Sequence, residues 1–206
     1  MSYDVIIADP AWSFDDKIKG EVKRGADAHY GTMTLSDIKA LPVAQAASDD
    51  AVLALWVPSS MLQEGLDVMT AWGFVHKQTY IWVKTSKKPG SGAFMSRTGR
   101  KFKRARNPGL AFGMGRLFRN CHEIALIGTR GSVYKWLDSR SERTVTFAPN
   151  MGHSVKPEDL HRSLERMFPG SRRLELFARR PVDGWTCLGN EIDGRDLLDS
   201  LAALVA

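Results

Sequence analysis

The sequence predicts an α/β fold with a largely parallel sheet. Short apolar runs of strand length stand at 5–8, 51–57 and 123–128. Between them lie stretches with helical apolar spacing, as at Leu62, Leu66, Met69 and Trp72, and again at Leu160, Leu164, Met167 and Phe168. Turn residues punctuate each segment, notably Pro42, Gly73 and Pro169-Gly170. Strands alternating with helices bury both faces of a sheet, which is the condition for parallel pairing.

Val5, Ile6, Ile7 and Ala8 form the first strand, and Asp9-Pro10-Ala11-Trp12 leaves its carboxyl end. In open α/β sheets ligands bind beyond that end. Pro10 lacks an N–H and holds Asp9 extended, so it stops the strand and sets where the carboxylate points. The plainer reading of the same residues is a strand end followed by a core indole. Residues 15–33 are polar without a period and read as a loop passing His29-Tyr30-Gly31-Thr32. Ser36-Asp37 opens a short helix through Leu41, closed at Pro42.

Ala51 to Val57 is the second buried strand, and Pro58-Ser59-Ser60 caps the helix that ends at Gly73. Residues 74–84 return as a strand, with β character from Tyr80, Ile81, Trp82 and Val83. Residues 85–120 exceed an ordinary connection, so the segment is functional or disordered. Further strands follow at 123–128, 144–147, 173–177 and 184–188. Lys156-Pro157-Glu158-Asp159 starts a helix, with Pro in the first turn and two acids at the positive end of the dipole. Asp193 caps a final helix with Leu197, Leu201 and Leu204 inward. There is neither an internal repeat nor a second core, so residues 1–206 read as one domain, long enough to bury an α/β interior unaided.

The net charge of +6 is concentrated in one place. Between Thr85 and His122 stand ten basic residues and no acid, leaving 19 basic against 23 acidic residues elsewhere. Lys87, Lys88, Arg97, Arg100, Lys101, Lys103, Arg104, Arg106, Arg116 and Arg119 suit a phosphate backbone, and Phe94, Phe102, Phe112 and Phe118 among them suit stacking on splayed bases. The plainer reading of the run is a solubilising loop. If about five of these cations neutralise phosphates, affinity falls with salt on a log–log slope near about −4. Cys121 and Cys187 belong to no metal-spaced group, which predicts reduced thiols, no metal and a cytoplasmic protein. A secretory leader and an apolar run of membrane-spanning length are both missing from the sequence, so no membrane role is expected.

With Ala8-Asp9-Pro10-Ala11-Trp12 in view, further stretches can be compared. They are Tyr30-Gly31-Thr32-Met33, then Trp72-Gly73-Phe74 with Ile81-Trp82-Val83-Lys84, and Arg119-Asn120-Cys121-His122-Glu123. Last come Lys156-Pro157, Leu174-Glu175-Leu176-Phe177 and Gly189-Asn190-Glu191. In this order the chain resembles the D-P-P-W family of S-adenosylmethionine-dependent adenine-N6 methyltransferases, which includes the eukaryotic mRNA adenosine enzyme and phage and bacterial relatives. The resemblance implies a permuted, Rossmann-like class I methyltransferase fold, with the target-amine motif first and the cofactor-associated strand late. A compact domain with R-N-C-H-E looks most like the phage and bacterial branch, which places it in a bacterial or phage-infected cell and favours DNA over RNA.

The resemblance also implies roles. The N6 amine of adenine is a poor nucleophile because its lone pair is delocalised into the ring. A carboxylate accepting one N–H and a carbonyl accepting the other would localise that pair and aim it at a sulfonium methyl, which gives Asp9 and the Pro10 carbonyl their work, with Ala11 and Trp12 completing the motif. Trp12 and Tyr30 would hold an extruded base by stacking. Asp9, Lys84, Phe177, Arg179, Asn190 and Glu191 match cofactor positions, Lys84 opposite the cofactor carboxylate and Glu191 near the ribose hydroxyls, and the cofactor leaves as S-adenosylhomocysteine. Glu175 reads as an outward or structural residue, and His29, His76, His153 and His161 as structural or solvent-facing.

Three departures stand out. Ala11 replaces the second Pro of the motif, Arg180-Pro181 stand where the eukaryotic enzyme has polar cofactor contacts, and the chain begins almost at its first strand, so a cofactor contact made by an earlier segment in relatives would come from elsewhere. Two other readings share these residues: a catalytically silent nucleic-acid-binding subunit supporting a paralogue, and a cytosine-N4 methyltransferase of the same fold. A homodimer or a partner chain would supply target selection that so small a domain lacks room for.

Overall fold

The computed structural model describes residues 2–13, 33–85, 109–111, 113, 117–150 and 155–205. In chain order the elements are β1 (Tyr3–Ala8), α1 (Leu35–Ala40), α2 (Val43–Ala46), β2 (Ala47–Val57), α3 (Leu62–Ala71), β3 (Val75–Thr85) and β4 (His122–Arg130). They continue as β5 (Val145–Pro149), α4 (Asp159–Met167), β6 (Arg173–Leu176), β7 (Thr186–Leu188), α5 (Asn190–Asp193) and α6 (Leu197–Val205). The strands make one sheet in the order β5-β3-β4-β2-β1-β6-β7. Only β4 runs against its neighbours β2 and β3, and the other pairings are parallel, as the sequence leads one to expect of a Rossmann-like methyltransferase fold.

Alternation along the central strands divides the interior in two. Ile6, Ala8, Leu53, Leu55, Val57, Leu174 and Leu176 face α1, α2, α3 and α6. Val5, Ile7, Val52, Ala54, Trp56, Tyr80 and Trp82 face α4 through Leu160, Leu164 and Phe168. Both faces of β1 are covered, which explains why its sequence is continuously apolar rather than alternating.

Several boundaries differ from the sequence expectation, each for a local reason. Helix α1 is capped by Thr34, whose Oγ1 accepts the Asp37 N–H at 3.1 Å, so the helix starts before Ser36. Strand β2 reaches back through Ser48, Asp49 and Asp50 because these polar residues occupy an irregular register opposite Tyr3 and Val5, where Asp4 accepts the Ser48 hydroxyl at 2.6 Å. Helix α3 buries Gly65, Val68 and Met69 and leaves Leu62 exposed, one position round from the expected stripe. Ser59 and Ser60 lie in a 3₁₀ turn and make no side-chain cap. Pro157 precedes the first turn of α4, and Asp193 closes the short α5, so α6 begins instead where Asp196 accepts the Leu198 N–H at 2.8 Å. Among the described residues no helix is long and apolar enough to cross a membrane.

Candidate active site

The sheet brings the singled-out residues to one edge. Strands β1, β2, β3, β6 and β7 all end there, and the antiparallel β4 begins there, with Trp82 opposite Glu123 and Val57 opposite Ile124. Asp9 follows β1, Lys84 lies at the end of β3, Glu123 at the start of β4, Phe177 after β6 and Asn190 after β7. With strands about 4.8 Å apart, Lys84 lies about three strand spacings from Asp9 on one side, and Asn190 about two on the other.

The turn that carries Asp9 is fastened at every residue. The Trp12 N–H donates to the Pro10 carbonyl at 2.8 Å, the Met33 N–H donates to the Ala11 carbonyl at 3.0 Å, and the Trp12 indole N–H donates to the Trp56 carbonyl at 3.0 Å. Trp12 is 4% exposed and belongs to the interior, so its indole supports the turn rather than lining an open wall. The Pro10 carbonyl already takes one N–H and has a second lone pair to offer.

Asp9 stands at the head of an alternating ionic row. Its Oδ2 lies 2.7 Å from Lys156 Nζ, which lies 3.3 Å from Glu123 Oε2, and Glu123 Oε1 lies 2.5 Å from Lys84 Nζ. Indoles back both lysines, Trp56 at 5.5 Å from Lys156 Nζ and Trp82 at 5.0 Å from Lys84 Nζ. Burial alone would push the Lys156 ammonium down, but the Asp9 and Glu123 carboxylates outweigh it and hold its pKa above the ordinary lysine value. Burial alone would raise Glu123, and Lys156 and Lys84 reverse that, leaving it below the usual carboxylate value. The row alternates two carboxylates with two lysines, so its formal charges cancel. Besides marking a helix start and a strand start, Lys156 and Glu123 stand in stretches that match the family, but neither has a role at the site that the sequence alone assigns. No spacing pattern joins Lys156 to a residue 147 positions away.

On the other side of Asp9 the tips of β6 and β7 are joined closely. Phe177 is the one non-glycine residue with positive φ (63°) among the described residues, which carries the chain out of β6 earlier than expected. The Ala178 N–H then donates to the Leu188 carbonyl at 2.9 Å. A Cβ on Gly189 would stand 2.2 Å from the Ala178 carbonyl oxygen, so that contact admits only glycine. Asn190 and Glu191 open α5 directly after it, both exposed, and Arg179 Nε approaches Glu191 Oε1 at 3.8 Å.

Tyr30, Lys87, Lys88, Arg97, Arg100, Lys101, Lys103, Arg104, Arg106 and Arg116 lie outside the described residues, as do His29 and His153. Arg119 is described and exposed, one residue before the antiparallel bridge between Asn120 and Gly113. His161 is buried and pairs with Glu175 at 3.1 Å behind β6, whereas His76 is exposed. Cys121 and Cys187 are both free thiols. Among the described residues no cluster of three or more His, Cys, Asp or Glu is grouped to hold a metal.

Comparison with known proteins places this edge in context. A profile of the MT-A70 family matches residues 3–191. The chain is 30% identical over 199 residues to the N(6)-adenosine-methyltransferase MT-A70-like protein of Drosophila melanogaster, covering 96% of this chain and 28% of the fly protein. It is 29% identical over 201 residues to the human N(6)-adenosine-methyltransferase catalytic subunit METTL3, covering 96% of this chain and 29% of that protein. It is also 27% identical over 206 residues to the Type II methyltransferase M.MunI of a Mycoplasma species, covering 92% of this chain and 78% of that enzyme. The chain thus spans under a third of the length of the METTL3-like relatives and most of the length of the bacterial one.

Proposed function

The chain belongs to the MT-A70 family, and from that premise we propose that it methylates the N6 amine of adenine in nucleic acid, with DNA favoured over RNA and S-adenosylmethionine as methyl donor. The observation that carries this reading is the Asp9 carboxylate, held at the end of β1 by Lys156 and 26% exposed, beside a carbonyl with a lone pair to spare. The preference for DNA rests on likeness to the phage and bacterial branch, carried by Arg119-Asn120-Cys121-His122-Glu123 and by the similarity to a bacterial type II methyltransferase.

The residues present fit the donor. Its methionyl end carries an ammonium and a carboxylate, and the row Asp9, Lys156, Glu123, Lys84 offers charges of both signs in alternation. Lys84 would pair with that carboxylate, and Lys156, which bridges Asp9 and Glu123, is the second cation of the row. Phe177 and Arg179 would form the wall beside the donor, and Asn190 and Glu191 would meet its nucleoside end. When bound, S-adenosylmethionine supplies an electrophilic methyl on sulfonium.

The chain's own part is positioning. Among the described residues Asp9 Oδ1 has no partner, and it accepts one N–H of the adenine amine while the Pro10 carbonyl accepts the other. Two acceptors in that turn draw the nitrogen lone pair out of conjugation and point it along the line of displacement. As nitrogen takes the methyl and the sulfur–methyl bond breaks with its electron pair left on sulfur, positive charge would build on the nitrogen, and Asp9 would stabilise it until one N–H proton passes to solvent. Tyr30 would hold the extruded base, and the basic residues from Lys87 to Arg119 would track the phosphates.

Transfer of labelled methyl from S-adenosylmethionine to single-stranded DNA, duplex DNA and RNA, with identification of the modified nucleoside, tests the proposal. The expected product is N6-methyladenine, made fastest in DNA. Methylcytosine as product would overturn it. A chain that binds neither donor nor product by calorimetry would instead be a supporting subunit.

A further inference from the structure

Among the described residues, the two most exposed large apolar side chains are sequence neighbours, Leu117 at 93% and Phe118 at 84%. Solvent-facing apolar groups of this size gain nothing from their own chain, and a pair of them marks a surface built to be covered. Both lie between Gly113 and Asn120, which bridge antiparallel with the Gly113 N–H donating to the Asn120 carbonyl at 2.9 Å.

The two legs of this projection grip one residue of the candidate site. The Ala111 N–H donates to the Lys84 carbonyl at 2.8 Å, and the Lys84 N–H donates to the Cys121 carbonyl at 2.8 Å. The Lys84 side chain begins the ionic row that ends at Asp9. Leu117 and Phe118 are therefore carried on a frame bonded to the reaction edge. In sequence they stand between Arg116 and Arg119, in a segment with ten basic residues and no acid from 85 to 122, so the complementary partner is a polyanion. Leu and Phe are among the side chains that insert between base steps of a duplex.

We propose that Leu117 and Phe118 form an apolar wedge that enters duplex DNA beside the adenine drawn out towards Asp9. This rests on the adenine-methyltransferase reading and goes beyond it by naming a base-paired substrate. Extruding a base leaves unstacked neighbours, and two apolar side chains filling the gap replace the lost stacking while burying their own surface. A single strand needs no such filler.

The test uses the full chain and the double variant Leu117→Ser/Phe118→Ser, with Phe118→Trp as a conservative control. A closed circular plasmid relaxed by a topoisomerase in the presence of protein records insertion as a change in linking number. The wild type and Phe118→Trp should shift the topoisomers, and the double variant at equal occupancy should not. Methyl transfer to native and to heat-denatured DNA should show the native-to-denatured rate ratio falling about tenfold in the double variant, the scale of one stacking contact. An unshifted plasmid with wild type, an equal shift with the double variant, or an unchanged ratio would overturn the wedge. A dimer that dissociates only in the double variant would assign the pair to a protein interface and equally overturn it. If the wild type methylates neither DNA, the proposed function falls, and the linking number still decides the wedge.

Discussion

Lys156 and Asp9, 147 residues apart in sequence, meet at 2.7 Å at the edge of the sheet. The ammonium bridges Asp9 and Glu123, so neither carboxylate faces the other without a cation between them.

Asp9→Asn keeps the shape of the side chain and removes its charge. Hydrogen bonds to a charged acceptor are worth about 1.5–3 kcal/mol, so turnover should drop on the order of a hundredfold, with donor affinity changing less. Single-turnover kinetics beside calorimetry separates the two effects. Loss of binding with turnover preserved would remove Asp9 from the reacting centre.

Lys156→Met removes the cation between Asp9 and Glu123 and leaves Glu123 with Lys84 alone. One of the two carboxylates should then hold its proton to a higher pH, and the acid limb of the rate profile should move up relative to wild type. A profile that keeps its acid limb while activity falls would make Lys156 a packing residue.

Stability should follow the same charges. Glu123 has a folded pKa below its unfolded value of about 4.3, so its contribution is complete above that value and is lost as pH falls through the lower folded pKa. Lys156 has a folded pKa above its unfolded value of about 10.4, so its contribution is complete below that value and is lost as pH rises through the higher one. Thermal melts of the wild type should decline at both ends of the pH range, and Lys156→Met should lose only the lysine's share of the alkaline decline, because burial also raises Cys187 and Tyr80.

Glu142 tests the α4 face in isolation. It accepts Arg166 Nε at 2.8 Å, Arg166 Nη2 at 2.7 Å and the Ser163 hydroxyl at 2.7 Å, and the Arg166 guanidinium chiefly holds its pKa down at about 2. Glu142→Gln should melt a few degrees lower at neutral pH. The two melting curves should converge as pH falls from about 4 towards the folded value, because the wild-type carboxylate is then being protonated.

Gly189→Ala adds a Cβ where the Ala178 carbonyl stands. Overpacking of this kind costs about 1–3 kcal/mol, and here the strain displaces the start of α5. Calorimetry with S-adenosylhomocysteine should show about tenfold weaker binding, and an unchanged affinity would detach Asn190 and Glu191 from the donor.

The fold was legible in the sequence where burial alone decides the pattern. Continuous apolar runs located β1, β2 and β4, and the α4 stripe from Leu160 to Phe168 holds in the structure. Boundaries set by single hydrogen bonds were less legible. The cap at Thr34, the irregular pairing opposite Asp4 and the cap at Asp196 depend on which polar atom meets which N–H, and several residue types nearby could have served. At the site, Asp9 and Lys84 stood out because strand ends are recognisable. Lys156 and Glu123 stood in matching stretches without a role, because only the folded sheet puts β4 beside β2 and the residues before α4 beside β1. Trp12 was visible as a motif residue, but its burial beneath the turn was not.

The antiparallel β4 has a consequence for how such a chain can diverge. Val83 and His122 sit opposite each other, so the basic segment leaves and rejoins the sheet at adjacent points. The stretch between Lys87 and Pro108 can change in length and composition while Leu110, Ala111 and Cys121 keep their pairing with Thr85 and Lys84. A graft of another relative's residues between Lys87 and Pro108 would keep Ala111 and Cys121 on the Lys84 backbone and leave the ionic row in place, and on the proposed reading it would change the nucleic-acid target without changing the reacting groups.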